Sequence, residues 1–432
     1  MGKEKTKLNY FFVKLVIVIT HTVLLGNIYL NGNLTDYTEA IKLTVLVLGS
    51  DLIYFSVIHL FAQDVYTLDL ILVLILNISL IFQSSFGGID FNLKHFITTA
   101  AAFISCQVGF LLTRNNFKAE QRQKYYYAGI CVLMVVIILF TGSRSMWINF
   151  GGFSLQPSEF IKPLFVFACA TSLYKQQNKK KLGFLYVTPN NIAMIAMTAA
   201  ILGLQWWCRD LGSIPTFGAV FGCAVVNRLC YPRAKFSKKK IAALICMVLV
   251  FAFAAIKLAP GYVKDRLYVD IWADQYGNGY QQCRALIAIA EGGWFGKGPG
   301  SGSLCNVAAY DTDIVFSSVS EEWGMLAAIL FVLLILLMLL MPVINPPRCY
   351  YHGTIAAGVT AVFVVQMSLN IFGSCNLIPF TGVTLPFLSN GGSSMVTSGF
   401  LLGMLKATQS PKFVRNIVVR QPANASERRK VN

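Results

Sequence analysis

Charged residues are scarce in this sequence. Asp, Glu, Lys and Arg together make up 13% of its 432 residues, whereas hydrophobic residues make up 56%. Soluble globular domains carry about 25% charged residues, and the mean hydropathy of +0.61 points the same way. The composition excludes an ordinary soluble domain and predicts an integral membrane protein.

The sequence also lacks the spacings that mark metal and thiol-redox sites. Its 11 cysteines include no Cys-x-x-Cys pair, and its 4 histidines are not paired at metal-ligand spacing. No fixed-period repeat or inverted repeat is present. The first apolar run is not followed by a small-residue cleavage site, so we expect it to remain as an anchor.

Twelve apolar stretches are long enough to cross a bilayer, which requires about 17–25 residues each. They lie near 10–30, 42–61, 66–86, 95–113, 125–141, 158–174, 190–207, 211–227, 241–259, 323–341, 354–374 and 393–409. The predicted fold class is therefore an all-α integral membrane protein with about twelve transmembrane helices.

Lysine and arginine set the expected orientation. They concentrate near the N-terminus, at 114–124, 175–181 and 228–240, and in the tail at 406–430. Basic loops stay in the cytoplasm, so both termini are predicted to be cytoplasmic. This arrangement accounts for the net charge of +17 without nucleic-acid binding. The longest connection, about 260–322, falls outside and carries many carboxylates, which makes it a candidate for function.

Polar residues mark the entrances of two predicted spans. The segment from Phe153 to Lys162 runs from an amphipathic outer loop into a helix, on which Glu159 and Lys162 share one face. They could line a wall for an anionic headgroup, or form a helix cap with a snorkelling lysine. Asp210, beside Arg209, could belong to a site or cap the next helix.

The outer loop holds two further candidate segments. Gly292–Gly302 is rich in glycine, so its N–H groups could converge on an anion, and Arg284 and Lys297 add positive charge nearby. The segment lacks the ending and strand context of a Walker loop. Asp313, in Asp-Thr-Asp-Ile-Val-Phe, could cap the helix that starts near Ile314 or act in chemistry.

A Gly/Pro/Ser-rich break, Gly382–Ser394, interrupts the apolar runs near the C-terminus. Such a break is tolerated only where protein or a water-filled cavity covers it. It therefore indicates a site inside the membrane protein, and Gly391 and Gly392 would permit close approach to a ligand.

These sequence segments, and their order along the chain, resemble the SEDS family of cell-wall polymerases (FtsW, RodA and SpoVE). The likeness includes Phe-x-Gln-Pro-Ser-Glu-x-x-Lys, Asp-Leu-Gly, the glycine-rich loop, Thr-Asp before Glu-Glu-x-Gly, and Gly-Gly-Ser-Ser, with Asn390 where the family has tyrosine. It implies an N-terminal extension with two helices (1–65) and a ten-helix core (66–409). The polar, basic composition of the remaining tail (410–432) predicts a disordered cytoplasmic end.

The resemblance also implies a peptidoglycan glycosyltransferase of the bacterial plasma membrane, acting at its outer face. Its substrate would be lipid II, its partner a class B penicillin-binding transpeptidase, and its cofactor a divalent Mg or Mn cation. Asp313 would be the catalytic carboxylate, as a general base or as a ligand of that cation. The implied substrate-binding residues are Arg144, Trp147, Gln156, Ser158, Glu159, Lys162, Asp210, Arg284, Lys297, Glu321, Glu322, Asn390, Gly391, Gly392 and Ser393.

Two other functions fit the same pattern. Many spans, buried polar groups and a broken segment are also typical of a transporter, here one for lipid II or another lipid-linked precursor. A non-catalytic scaffold of the division or elongation machinery could keep the motifs without the reaction. A polymerase needs Asp313 for chemistry, whereas a transporter mainly needs polar groups at the bilayer midplane.

We expect single cysteines placed at 228–240 to be labelled only from the cytoplasmic side, because most of the 36 basic residues lie in segments predicted to be inside. Cysteines placed at 270–277 should react with impermeant reagents from outside. Outside labelling of 228–240 would contradict the predicted topology.

Overall fold

The chain is described by a computed structural model. The described residues are 2–34, 36–61, 67–114, 119–140, 146–150, 153–174, 180–182, 185–187, 189–230, 261, 270–277, 279–347 and 349–409.

Helices form the body of the structure. The first group comprises α1 (Gly2–Asn31), α2 (Tyr37–Phe61), α3 (Thr67–Gln83), α4 (Leu93–Arg114), α5 (Ala119–Phe140), α6 (Pro157–Tyr174), α7 (Pro189–Trp207) and α8 (Ser213–Cys230). The predicted outer loop contains the short helices α9 (Tyr280–Gly292) and α10 (Val315–Glu322), with a 3-10 turn at Leu304–Asn306 between them. The last group comprises α11 (Gly324–Ile344), α12 (Tyr350–Ser374) and α13 (Gly392–Thr408).

Every predicted span except 241–259 coincides with one of these helices, and 241–259 lies outside the described residues. Among the described residues, six helices are long and apolar enough to cross a membrane: Tyr10–Asn31, Tyr37–His59, Leu93–Arg114, Arg122–Phe140, Gly324–Ile344 and Tyr350–Ser374. Two shorter helices, Thr67–Gln83 and Ser213–Asn227, are also apolar. The protein is a multi-pass, all-α membrane protein, as predicted. The predicted tail, 410–432, is not among the described residues.

Two short antiparallel hairpins stand where the sequence predicted loops. Strand β1 (Ile148–Phe150) pairs with β2 (Phe153–Leu155), and β3 (Lys180–Leu182) pairs with β4 (Leu185–Val187). The first hairpin leads into α6, which begins at Pro157. Proline suits the first helical position because its ring already has a helical φ and that position needs no N–H donor. The hairpin thus fixes the entrance of α6.

Helices α4 and α13 approach each other closely because small residues line their contact. A Cβ atom at Gly399 would lie 2.1 Å from the carbonyl oxygen of Ala102, and one at Gly403 would lie 2.0 Å from that of Cys106. Glycines four residues apart let membrane helices pack backbone to backbone. This contact anchors α13 and therefore also the broken segment, 382–391, that leads into it.

Candidate active site

Asp313 lies on a turn immediately before α10. The N–H groups of Thr312, Asp313 and Ile314 all donate to the carbonyl oxygen of Ala309, at 3.2, 3.0 and 3.3 Å. Ala309 has φ +59, a left-handed conformation that non-glycine residues rarely adopt. Ile314 is the N-cap of α10, and no side chain caps this helix. Asp313 therefore does not cap α10.

One side-chain amide ties this turn to the broken segment. Asn370 of α12 donates from Nδ2 to the carbonyl oxygens of Asp313, at 2.8 Å, and of Val383, at 2.7 Å. The hydroxyl of Ser389 donates to the carbonyl oxygen of Thr312 at 2.6 Å. The backbone on both sides of the Asp313 carboxylate is thus held in place.

A second amide does the same from α3. Gln83 donates from Nε2 to the carbonyl oxygens of Asp311, at 2.9 Å, and of Leu388, at 2.7 Å. Asn390 adds a bond from its backbone N–H to the Asp311 carbonyl oxygen and one from Nδ2 to its carboxylate, at 2.8 and 3.0 Å. Asn390 was predicted to bind substrate, but in the structure it holds the turn.

Sequence reasoning missed Gln83 and Asn370. The available signal was a polar amide inside an otherwise apolar span, since such residues are costly in a membrane and usually have a function there. Their partners are backbone carbonyl groups, which are the same in every residue type. No pattern in the sequence could therefore have named those partners.

At Gly382 the backbone lies so close to the Asp313 carboxylate that a larger residue would crowd it. The φ of Gly382 is +66, and a Cβ atom there would lie 3.1 Å from Oδ2 of Asp313. At Gly391 and Gly392 a Cβ atom would make only ordinary contacts of 3.4 Å or more. The close approach of a ligand at those two glycines stays a prediction, whereas the close contact within the protein is at Gly382.

A cavity of about 330 Å³ opens beside Gly382. It unites Trp147, Gln156, Glu159, Lys162 and Asp210, all of which were predicted to be substrate-binding residues. The other lining residues, three of which belong to the broken segment, are Met146, Cys208, Arg209, Gly212, Ser213, Thr216, Thr381, Gly382, Val383 and Thr384. The cavity therefore joins the first hairpin, α6, the α7–α8 turn and the broken segment.

Glu159 and Lys162 form an ion pair in the cavity wall. Nζ of Lys162 donates to Oε1 of Glu159 at 2.5 Å, and both side chains are buried. The predicted shared face is confirmed. Because the two charges compensate each other, the pair can exist inside the bundle. The ammonium group of Lys162 therefore lies in the wall of the cavity in which a ligand would bind.

Asp210 caps a helix and also faces the cavity. Its Oδ1 accepts the N–H of Ser213 at 3.2 Å, and its Oδ2 accepts the Ser213 hydroxyl at 2.7 Å, so it caps α8 as one alternative predicted. Gln156 donates to the same Oδ2 at 3.4 Å. The N–H of Gln156 donates to the hydroxyl of Ser393 at 3.3 Å. Ser393 thus supports the cavity wall from outside the cavity.

Glu322, which was predicted to bind substrate, is bound by backbone N–H groups in the structure. Its carboxylate is buried and accepts the N–H groups of Gly87, Gly300 and Gly302 at 2.7, 3.0 and 3.2 Å. Burial raises the pKa of Glu322 to about 7, against the opposing effect of these donors.

Glu321, beside it, is also bound by backbone N–H groups. It accepts the N–H groups of Ser303 and Leu304 at 2.9 and 3.0 Å, and Nζ of Lys297 lies 3.0 Å away. Burial favours its neutral form, but the donors outweigh burial and lower the pKa of Glu321. The glycine-rich loop does cradle an anion. The anions are these two internal carboxylates rather than a phosphate.

Three further predicted residues that the structure describes do not line the cavity. Lys297 is engaged by Glu291 and Glu321, chiefly by Glu291, and these partners raise its pKa. Arg284 is exposed and lies over the Tyr280 ring at 5.6 Å. Ser158 is fully buried. Arg144 lies outside the described residues.

The environment of Asp313 suits a base. Burial raises its pKa to about 6, the hydroxyl of Thr312 opposes this by a hydrogen bond, and the negative charge of Asp311 adds to it. A general base works best when its pKa lies near the operating pH. Among the described residues, no group of three His, Cys, Asp or Glu side chains could hold a metal ion.

Comparison with known proteins identifies the family of this chain. The family model "Cell cycle protein", of the FtsW/RodA/SpoVE type, matches residues 55–412. The peptidoglycan glycosyltransferase RodA of Mycobacterium tuberculosis is 29% identical over 312 residues, which are 67% of this chain and 65% of that protein. The stage V sporulation protein E of Bacillus subtilis is 28% identical over 306 residues, 64% of this chain and 76% of that protein. The match thus spans just under two thirds of the mycobacterial relative.

Solved structures show the same fold. A chain of a peptidoglycan synthase complex, studied for how it coordinates polymerization and crosslinking, superposes with a TM-score of 0.61 at 20% identity. That likeness covers 84% of this chain and 100% of the other. The rod shape determining protein RodA of Thermus thermophilus superposes with a TM-score of 0.53 at 19% identity, over 81% of this chain and 97% of the other. With most of its length matched by the family model, this chain belongs to the FtsW/RodA/SpoVE family of cell cycle proteins.

Proposed function

We propose that the protein is a peptidoglycan glycosyltransferase that polymerises lipid II at the outer face of the bacterial plasma membrane. The residue assignment rests on the carboxylate of Asp313, which does not cap α10. A Cβ atom added at Gly382, which lines the cavity, would lie 3.1 Å from Oδ2 of Asp313. The relatives named as peptidoglycan glycosyltransferases support the reaction class. The cavity lies where the predicted outer ends of α6, α8 and α13 meet, which agrees with an outer-face reaction and with cytoplasmic termini.

The reaction assigned to Asp313 is proton removal from an attacking sugar hydroxyl. The hydroxyl oxygen bonds to the anomeric carbon of the second sugar as the bond from that carbon to the pyrophosphate oxygen breaks. The proton passes to Asp313, and the lipid pyrophosphate leaves with the bonding electrons. A positioned base contributes roughly 10²–10⁴-fold to such a step.

Lys162 is the cation that we assign to the pyrophosphate. Four cationic residues were predicted to bind substrate: Arg144, Lys162, Arg284 and Lys297. Among those that the structure describes, Lys162 lines the cavity, together with Arg209. Fixed positive charge at a leaving group stabilises charge that develops in the transition state. A divalent Mg or Mn cation remains part of the proposal as an ion that would enter with the pyrophosphate, because Mg²⁺ sites often use few protein carboxylates together with substrate phosphates.

We also propose a class B penicillin-binding transpeptidase as partner. The likeness to a chain of a complex that couples polymerization and crosslinking supports this partner class. The reaction itself gives the reason for the pairing, since a glycan strand needs peptide crosslinks to become a wall. Polymerisation should therefore be measured both with and without a co-purified transpeptidase.

We expect Asp313→Asn and Asp313→Ala to leave the protein folded but to reduce polymerisation of purified lipid II by roughly 10²–10⁴-fold. Product length on gels would be measured with and without the co-purified transpeptidase. Asp270→Asn, at another outer-loop carboxylate, is the matched control and should retain activity. Normal strand synthesis by Asp313→Ala would exclude the assigned base.

We expect the polymerisation rate to rise with pH through about 6 and then to level off, because the pKa of Asp313 is raised to about 6 and only the charged carboxylate accepts a proton. The residual rate of Asp313→Asn should lack this step. A wild-type rate that stays constant between about pH 5 and 7.5 would contradict the base role.

We expect Lys162→Ala to weaken lipid II use more than it lowers thermal stability, because the cation faces the substrate cavity. The double variant Glu159→Lys/Lys162→Glu restores a pair of opposite charges and should recover stability at most, since the anionic substrate would meet the wrong sign. Full activity in this double variant would show that the pair is only structural.

A further inference from the structure

Four polar side chains form a buried cluster between α1, α2 and α3. Nδ1 of His21 lies 2.8 Å from Oδ2 of Asp51, and Nδ2 of Asn77 donates to Oδ1 of Asp51 at 2.8 Å. The hydroxyl of Ser50 donates to Oδ1 of Asn77 at 2.9 Å. His21 is 0% exposed, Asp51 1%, Asn77 2% and Ser50 5%. None of the four lines the cavity, so the site described above does not explain them.

The cluster lies deep within the predicted spans. His21 is near the middle of the span Tyr10–Asn31, and Asp51 is well inside the span Tyr37–His59. Ionisable side chains at such depth are costly and are kept where they make specific contacts. Each of these contacts crosses between helices, so the cluster fixes α1 and α2 against α3.

Helix α3 connects the cluster directly to the turn that carries Asp313. Gln83, which donates to the carbonyl oxygen of Asp311, lies six residues beyond Asn77 on the same helix, about 9 Å along its axis. A shift of α3 that follows loss of the cluster would therefore move the amide that holds the turn.

A second connection runs outside the spans. The N–H of Asn33, between α1 and α2, donates to the carbonyl oxygen of Pro299 at 2.9 Å. A Cβ atom at Gly298 would lie 2.9 Å from the carbonyl oxygen of Asn31, so the two loops are in close contact. The N–H of Gly300, the residue after Pro299, donates to the carboxylate of Glu322 at the end of α10. The α1–α2 turn thus rests on the loop that Glu321 and Glu322 hold.

We propose that the helix pair α1–α2, most of which precedes the family match at 55–412, is a positioning element for the Asp313 turn. Asp51 is its principal positioning residue, because it receives contacts from both α1 and α3. The activity part of this inference rests on the proposed glycosyltransferase function. Its structural part does not.

The test compares full-length variants in lipid nanodiscs. Asp51→Leu removes both acceptors, so kcat for lipid II polymerisation per folded molecule should fall by roughly tenfold with KM unchanged, as expected when catalytic geometry rather than binding is disturbed. Asp51→Asn keeps an oxygen acceptor and should recover most of this loss. Leu52→Ala, at the neighbouring residue that is 69% exposed, is the matched control and should not change kcat.

Hydrogen exchange gives a readout that does not depend on activity. In Asp51→Leu the backbone amides of 298–304 and 309–314 should exchange faster than in the wild type, while those of α5 should not change. If Asp51→Leu does not fold, Ser50→Ala removes one interhelical bond and should still speed exchange in these segments by about threefold.

Two results would overturn the inference. One is faster exchange confined to α1–α3, with 298–304 and 309–314 unchanged. The other is a wild-type kcat in a folded Asp51→Leu protein. A wild-type protein that does not polymerise lipid II, but whose Asp51→Leu variant shows the expected exchange, would instead refute the proposed function and leave the positioning role standing.

Discussion

The site depends on how non-helical backbone is satisfied at the end of a membrane helix bundle. The turn at 309–314 and the broken segment at 382–391 contain carbonyl groups that no helical backbone hydrogen bond satisfies. In a membrane protein each such group needs a partner within the protein or in a water-filled space. Gln83 and Asn370 supply those partners, and each bridges the turn and the segment. The bonds that satisfy the backbone are therefore the same bonds that fix the Asp313 carboxylate beside the cavity.

Carboxylates of similar sequence character have different roles because their surroundings differ. Asp313 does not cap the helix that follows it, and burial raises its pKa to about 6. Glu321 and Glu322, eight and nine residues later, are surrounded by backbone N–H groups of the glycine-rich loop. Those two carboxylates hold the loop, and the loop in turn lies against the end of α10. These neighbouring acids thus differ in their contacts: two hold the loop, whereas the third has a raised pKa near the cavity.

The Glu159–Lys162 pair shows how a charged wall can exist inside the bundle. Each charge compensates the other at 2.5 Å, so neither is isolated in an apolar environment. Asp210 has a comparable double role, since capping α8 satisfies most of its acceptors while it still faces the cavity. Helix caps and ion pairs are thus part of the cavity wall here, and the distinction between structural and functional residues is not absolute.

The sequence by itself determined the membrane class, the positions of the spans, and the shared face of Glu159 and Lys162. These follow from local composition and helical periodicity, which do not depend on distant residues. It also marked Asp313 and the Gly382–Ser394 break. Only the tertiary structure decided that Gly382 approaches the Asp313 carboxylate, that Glu321 and Glu322 bind a loop, and that Gln83 and Asn370 hold the turn. Those roles rest on contacts to backbone groups far away in the chain, and backbone groups carry no sequence signal.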